Sequence, residues 1–283
     1  MGGTPTMRAI GAKPSPTFAV SVALAQVRPC WTLAAPRDSC WLISVRIIPR
    51  FSLEAMIGMA AGLAMTGLRP FAYTIAPFAL YRPLEQIRVD FAYQDLPVVV
   101  IGVGGGLSYS ALGATHHTME DVAIAGAIPN MTVIAPCDPL ETQAAVTGSF
   151  DLTGPAYLRL GKSGEPDLTA DATEPFMLGR IRQIRAGSGT ALVGYGPILE
   201  LGLREADEAA QAGVTASVFS AHTVKPLDLE RVDTILSTYD RVVVLEEHVH
   251  RGGLGMQVQA RANEIGSSAT VVSLYLGDVF LHT

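Results

Sequence analysis

The segment Gly102-Val-Gly-Gly-Gly-Leu-Ser-Tyr-Ser-Ala-Leu-Gly-Ala-Thr-His-His-Thr-Met-Glu-Asp121 gathers the groups of this chain that could do chemistry. Its glycines permit positive φ and close approach of the backbone to a ligand. Glu120 and Asp121 follow His116 at four and five residues, a grouping able to move protons near neutral pH. The same spacing fits a blander role, in which the carboxylates open and cap a helix. Gly104-Gly-Gly106 lacks the third glycine of the dinucleotide fingerprint, and neither a phosphate-binding P-loop nor HExxH occurs. The nucleophile-elbow motif of serine hydrolases is also missing.

The elements that must position this loop follow from hydrophobic period. Leu53, Met56, Ile57, Ala60, Ala61 and Ala64 recur at three and four residues, predicting a helix that starts near a Ser52 cap and stops at Gly67. Strands are expected at 71–75, 97–102, 131–135 and 156–160, and helices through 84–91, 119–127 and 139–146. The uninterrupted apolar run Pro97-Val-Val-Val-Ile-Gly102 is the kind that is buried on both faces of a sheet. Residues 163–187, rich in Gly, Pro, Asp and Thr, interrupt the alternation. It then resumes, with strands at 190–195, 214–219, 241–245 and 270–274 and helices at 198–210, 229–236 and 254–262. The prediction is an α/β protein of two domains, each a mostly parallel sheet covered by helices, with ligands at the carboxyl ends of the strands. The expected boundaries are an anomalous segment 1–50, a first domain 51–166, a linker 167–187 and a second domain 188–283.

Length and composition agree with this. A chain of 283 residues is about two domains long. With 49% hydrophobic and 16% charged residues it has the composition of a packed globular protein. A net charge of −6 without a basic stripe argues against nucleic acid as a partner, and no apolar run is long enough to span a membrane. Three cysteines with neither disulfide nor metal-ligand spacing suggest a reducing cytoplasm. The charge is unevenly placed: Arg8, Lys13, Arg28, Arg37, Arg46 and Arg50 against Asp38 make residues 1–50 basic, and Trp31, Trp41, Cys30 and Cys40 lie there too. No sustained period runs through this stretch. It reads as an organellar targeting segment, an irregular first strand and helix, or a stretch whose reading frame has been lost.

From Phe51 the chain resembles the pyrimidine-binding and C-terminal domains of transketolase-type thiamine diphosphate enzymes. The resemblance rests on the order of several blocks: Met56-Ile-Gly-Met-Ala-Ala-Gly-Leu-Ala64, Glu85-Gln86, Thr115-His116, Ala156-Tyr-Leu-Arg-Leu-Gly-Lys162, and Val243-Val-Leu-Glu-Glu-His248 with Gly252-Gly-Leu-Gly255. Thr74-Ile-Ala-Pro-Phe78 and Gly102-Val-Gly-Gly-Gly-Leu107 are similar to split transketolases of sugar metabolism. In such enzymes a glutamate hydrogen-bonds the cofactor's aminopyrimidine, an aromatic ring stacks on it, and a two-carbon ketol unit passes from a ketose phosphate to an aldose. The resemblance gives Glu54 the catalytic carboxylate, Phe78 the stacking ring with Tyr73 as second candidate, and His116 the substrate-facing histidine. Lys162 and Arg159 inherit the substrate phosphate, while His117 and His248 fit local hydrogen bonding.

Two departures from the family pattern matter. The family's glutamate lies five residues before the glycine matching Gly58, but Glu54 lies four before it and Leu53 fills the expected place. A one-residue deletion beside the anomalous first fifty residues would explain this, and the family's opening helix and first strand are not found in Val20 to Arg50. Second, the Gly-Asp-Gly segment with its downstream asparagine, which holds diphosphate and Mg²⁺, has no counterpart, and Gly277-Asp278 is not one. The resemblance therefore implies a separate partner chain carrying the diphosphate-binding domain and Mg²⁺, assembled as a dimer of heterodimers. Alternatives are a beta-type subunit of a 2-oxo-acid dehydrogenase, and a catalytically impaired remnant that only folds and pairs.

Overall fold

The computed structural model describes residues 21–25, 42–46 and 52–281. In chain order the strands are β1 (Ser21–Ala25), β2 (Leu42–Arg46), β3 (Arg69–Ile75), β4 (Val99–Val103), β5 (Thr132–Ile134), β6 (Ala156–Leu160), β7 (Arg182–Arg185), β8 (Thr190–Gly194), β9 (Ala216–Ser220), β10 (Thr223–Lys225), β11 (Arg241–Val249) and β12 (Thr270–Leu276). The helices are α1 (Leu53–Met65), α2 (Ala76–Leu80), α3 (Leu84–Gln86), α4 (Asp121–Ala127), α5 (Pro139–Ser149), α6 (Leu199–Gln211), α7 (Leu229–Thr238) and α8 (Leu254–Glu264). A π-helical stretch, Ile87–Tyr93, continues α3.

One sheet runs β10-β5-β6-β4-β3-β1-β2 and the other β12-β11-β8-β9-β7. The central pairs β5–β6, β6–β4 and β4–β3 are parallel, as are β12–β11, β11–β8 and β8–β9. Parallel neighbours require helical crossovers, which explains the alternating pattern and the apolar runs Val98-Val-Val100 and Val242-Val-Val244. Both runs contain side chains wholly removed from water.

Three features differ from the sequence reading. The first is that residues 1–50 contain β1 and β2, where no sustained period runs but an irregular first strand is one of the three readings. β1 pairs antiparallel with β3, Ala23 opposite Phe71, and with β2, Ala23 opposite Ser44. Ser21-Val-Ala-Leu-Ala25 is short and carries few β-branched residues, so its period is too weak to register alone. Residues 1–20, 26–41 and 47–51, on which the targeting and lost-frame readings also rest, lie outside the described residues. The second is that the 167–187 linker contains β7, which closes the second sheet by pairing antiparallel with β9.

The third is that β10 leaves the second half of the chain to pair antiparallel with β5, Thr223 opposite Ile134. Its three residues carry no usable period. The core follows this exchange: Met56, Leu80, Phe91, Val133 and Tyr157 belong to one buried cluster with Val193, Phe219, Val224, Leu236 and Val258. The two sheets are thus bound by apolar contact rather than only tethered.

Candidate active site

α1 begins at Ser52, whose hydroxyl accepts from the Ala55 N–H at 3.2 Å. Leu53 then turns into the core, while Glu54, one residue on and about 100° round the helix, faces outward. Hydrogen bonds from its own backbone N–H and from the Ser52 hydroxyl hold the Glu54 carboxyl below the usual range, with Arg82 adding a nearby positive charge. The Arg82 guanidinium lies over the Phe78 ring, 4.9 Å from its centre. That ring meets His116 edge-on, with centroids 5.3 Å apart and an interplanar angle of 71°. Phe78, Arg82 and His116, the last far from the others in the sequence, thus form one cluster, and Glu54 feels the Arg82 charge only as a minor influence. Sequence reading did not single out Arg82; its place one turn after Phe78 is the signal that was there to find.

His116 is half-buried, and its Nδ1 is 3.0 Å from the Thr115 hydroxyl. His117 instead turns inward, with Nε2 3.0 Å from the Ser110 carbonyl. Because a carbonyl only accepts, that nitrogen carries the proton. His248 likewise serves the scaffold: Nδ1 donates to the Val249 carbonyl and Nε2 accepts the Ala123 N–H at 3.2 Å.

The remaining candidates lie on β3, on β6 and just past the end of β6. Tyr73 and Lys162 line one cleft of about 530 Å³, together with Val103, Leu160 and α5 residues. Burial raises the Tyr73 hydroxyl above its usual range, and Tyr109 adds to the effect. Lys162 is exposed and also borders a second cleft of about 570 Å³ with Glu200, Arg204 and Glu247. Arg159 is placed differently. Its side chain is 2% exposed, Nε donates to Asp121 at 2.9 Å and Nη2 donates to the Glu247 carbonyl at 3.0 Å. The guanidinium also lies over the Tyr195 ring at 5.5 Å. Unlike Lys162, Arg159 is thus buried with Nε and Nη2 taken by protein acceptors, an internal tie between strands and helix.

The glycine-rich loop serves the protein's own packing. A Cβ at Gly104, where φ is +85°, would sit 2.2 Å from the Tyr109 ring. At Gly105 it would meet the Arg159 guanidinium at 2.7 Å, and at Gly106 the Glu247 side chain at 2.7 Å. The close approach expected toward a ligand is thus made to three side chains. The carboxylates that follow are occupied as well: Asp121 accepts from Tyr157 at 2.8 Å and Glu120 from Tyr81 at 2.9 Å. Among the described residues no group of three or more His, Cys, Asp and Glu is placed to hold a metal ion.

The two-sheet architecture and this constellation define a class of α/β enzyme subunit, and comparison with known proteins specifies it. Residues 54–165 match the transketolase pyrimidine binding domain and residues 179–283 the transketolase C-terminal domain. The chain belongs to the transketolase family. It is 33% identical over 208 residues to an apulose-4-phosphate transketolase subunit of Phocaeicola vulgatus, covering 74% of this chain and 67% of that one. It is 36% identical over 217 residues to the 6-deoxy-6-sulfo-D-fructose transketolase subunit SqwH of a Clostridium species, covering 76% and 66%. Among solved structures, a split gene transketolase described as an inactive beta4 tetramer superposes with a TM-score of 0.74 at 33% identity, over 81% of this chain and 74% of that one. The expected fold class and family are both met, and the chain is a transketolase-like transferase subunit.

Proposed function

We propose that this chain supplies the pyrimidine-binding half of a thiamine diphosphate site in a two-subunit transketolase, which moves a two-carbon ketol unit between sugar phosphates. The observation that carries the reading is the Phe78–His116 contact with Arg82 over the Phe78 ring. An aminopyrimidine is a flat ring with hydrogen-bonding edges; a half-buried aromatic fits its face and the ionised Glu54 carboxylate fits its edge. Thiamine diphosphate, when bound, supplies the electron sink for cleavage of the carbon–carbon bond. In this reading Phe78 stacks on the pyrimidine and Glu54 accepts a hydrogen bond from it. His116 faces the reacting sugar and transfers or holds a proton there. Lys162 binds the sugar phosphate at the mouth of the cleft that Tyr73 lines. An ammonium there keeps the charge of an arginine and loses its two-pronged geometry.

Magnesium prefers oxygen ligands such as carboxylates and phosphates. The residues of this sequence include no Gly-Asp-Gly segment of that kind, and in this reading a partner chain holds Mg²⁺ and the diphosphate, in an assembly with two copies of each chain. The relatives are themselves named as single subunits of a transketolase, which supports a partner of this kind. The expected place of work is the cytoplasm, and none of the described helices is long and apolar enough to cross a membrane.

The test is a titration of thiamine diphosphate with Mg²⁺ into this chain, into a diphosphate-domain subunit, and into the mixture, followed by a ketol-transfer assay. Micromolar binding and transfer confined to the mixture are expected. Tight binding by this chain alone would overturn the divided site. Turnover of pyruvate in place of ketose phosphates would move the chain to the 2-oxo-acid dehydrogenase branch.

A further inference from the structure

Glu120 occupies the N-cap position of α4, where a side chain ordinarily turns back to accept an N–H of the first turn. It makes no such bond. The Ala123 N–H that a cap would take is accepted by His248 Nε2 from the second domain, at 3.2 Å. The Glu120 side chain reaches the other way, where Oε2 accepts the Tyr81 hydroxyl at 2.9 Å, and the Glu120 backbone N–H donates to the same hydroxyl oxygen at 3.3 Å. Tyr81 is thus engaged both as donor and as acceptor by one residue 39 positions away.

The two segments joined are the ones that carry the site. Tyr81 closes α2, its N–H bonded to the Pro77 carbonyl at 3.0 Å, and it stands three residues after Phe78 on the same helical face. Glu120 stands four residues after His116. We propose that Tyr81 and Glu120 form a positioning clasp that fixes the distance and angle between the Phe78 ring and the His116 imidazole. Burial keeps the Tyr81 proton in place, so the donor is permanent over the working pH range. Neither residue touches the reacting atoms; both act through Phe78 and His116. The catalytic consequence rests on the function proposed above, whereas the geometric one does not.

Proton NMR of the full chain tests the geometry. A histidine beside an aromatic ring carries a ring-current shift, and the His116 resonance is assigned by its disappearance in H116Q. Y81F and E120A, which break the clasp from opposite sides, are expected to move that resonance toward the value of an isolated histidine. E120Q keeps an acceptor oxygen and is expected to retain the wild-type shift. An unchanged His116 shift in Y81F and E120A would overturn the clasp.

Kinetics of the reconstituted two-chain complex form the second arm. Y81F is expected to lower kcat about tenfold, since small displacements of a positioned group cost that much or more. KM for the sugar phosphate should stay within about twofold, because Lys162 is untouched, and E120Q should retain most of the wild-type kcat. A loss of kcat in E120Q as large as that in Y81F would also count against the clasp. If the wild-type complex shows no ketol transfer, the proposed function fails and the NMR arm decides the clasp alone.

Discussion

Arg159 and Asp121 form an ion pair sealed from water: Nε lies 2.9 Å from Oδ2, with 2% of one side chain and none of the other exposed. Tyr157 donates to the same carboxylate oxygen, and Arg159 reaches on to the Glu247 carbonyl, so β6, the start of α4 and β11 meet at one guanidinium. A pair this buried gains little net energy from existing, because desolvation of both ions offsets their attraction. Removing one member is another matter, since a bare charge is left inside. D121N and R159A are each expected to lose about 3–5 kcal/mol of unfolding free energy in urea titrations. Losses below about 1 kcal/mol would mean the pair is hydrated and Arg159 is available to ligands after all.

Lys162 makes the opposite prediction. Its side chain is exposed at the junction of two clefts, so K162A should change stability by no more than about 0.5 kcal/mol. Loss of one charged contact to phosphate, worth about 1.5–3 kcal/mol, should raise KM for a sugar phosphate roughly 10- to 100-fold. K162R should restore it. Assay with a non-phosphorylated ketose separates the effects: there K162A and wild type should be equal, and a shared defect would remove Lys162 from the phosphate role.

Strong periods made much of this legible, and the failures have physical causes. α1, β4 and β11 carry long runs whose apolar spacing leaves little choice of structure. β10 and β7, with three and four residues, owe their existence to partners distant in sequence, and no local pattern encodes that. At the site, residue type alone could not separate Arg159 from Lys162. Arg159 lies within β6 among buried neighbours, whereas Lys162 stands two residues past the strand's end, where the chain is free to turn outward. Arg82 was missed for a related reason, since its significance is its position over a ring rather than any motif.

His222 predicts a pH dependence. Its ring stacks on Phe176 with centroids 4.0 Å apart, and Nδ1 lies 3.1 Å from the Thr223 hydroxyl. Burial first, and the Arg182 charge second, push its pKa down from 6.5 to about 3. Between those values the unfolded chain binds a proton that the folded chain refuses, so acidification favours unfolding. The contribution approaches about 1.4 kcal/mol per pH unit below 6.5, or roughly 2 kcal/mol by pH 5. Buried Glu141, raised by desolvation, works in the reverse sense, so the comparison must be between variants. Urea midpoints of wild type should fall more steeply from pH 7 to pH 5 than those of H222Q. Parallel slopes would show that His222 titrates normally.

The register of Glu54 admits the most direct test. Leu53, which stands where the family pattern has its glutamate, is 9% exposed and packed in the core, while Glu54 projects outward. Inserting one alanine between Glu54 and Ala55 would place the carboxylate five residues before the helix glycine. The step rotates it by about 100° and moves it about 1.5 Å along the axis. It also displaces Leu53 and Ser52, at a cost of about 1 kcal/mol for a disturbed cap. If the offset withholds a hydrogen bond from the cofactor, the inserted chain, paired with a diphosphate-domain subunit, should bind thiamine diphosphate roughly 10- to 100-fold more tightly. Turnover should rise with it, and E54Q in the inserted chain should abolish the gain. Equal affinity and turnover in the inserted and original chains would show that Glu54 acts from where it stands. Inactivity of both, with pairing intact, would make the chain a subunit that has kept its fold and its partner but lost the carboxylate.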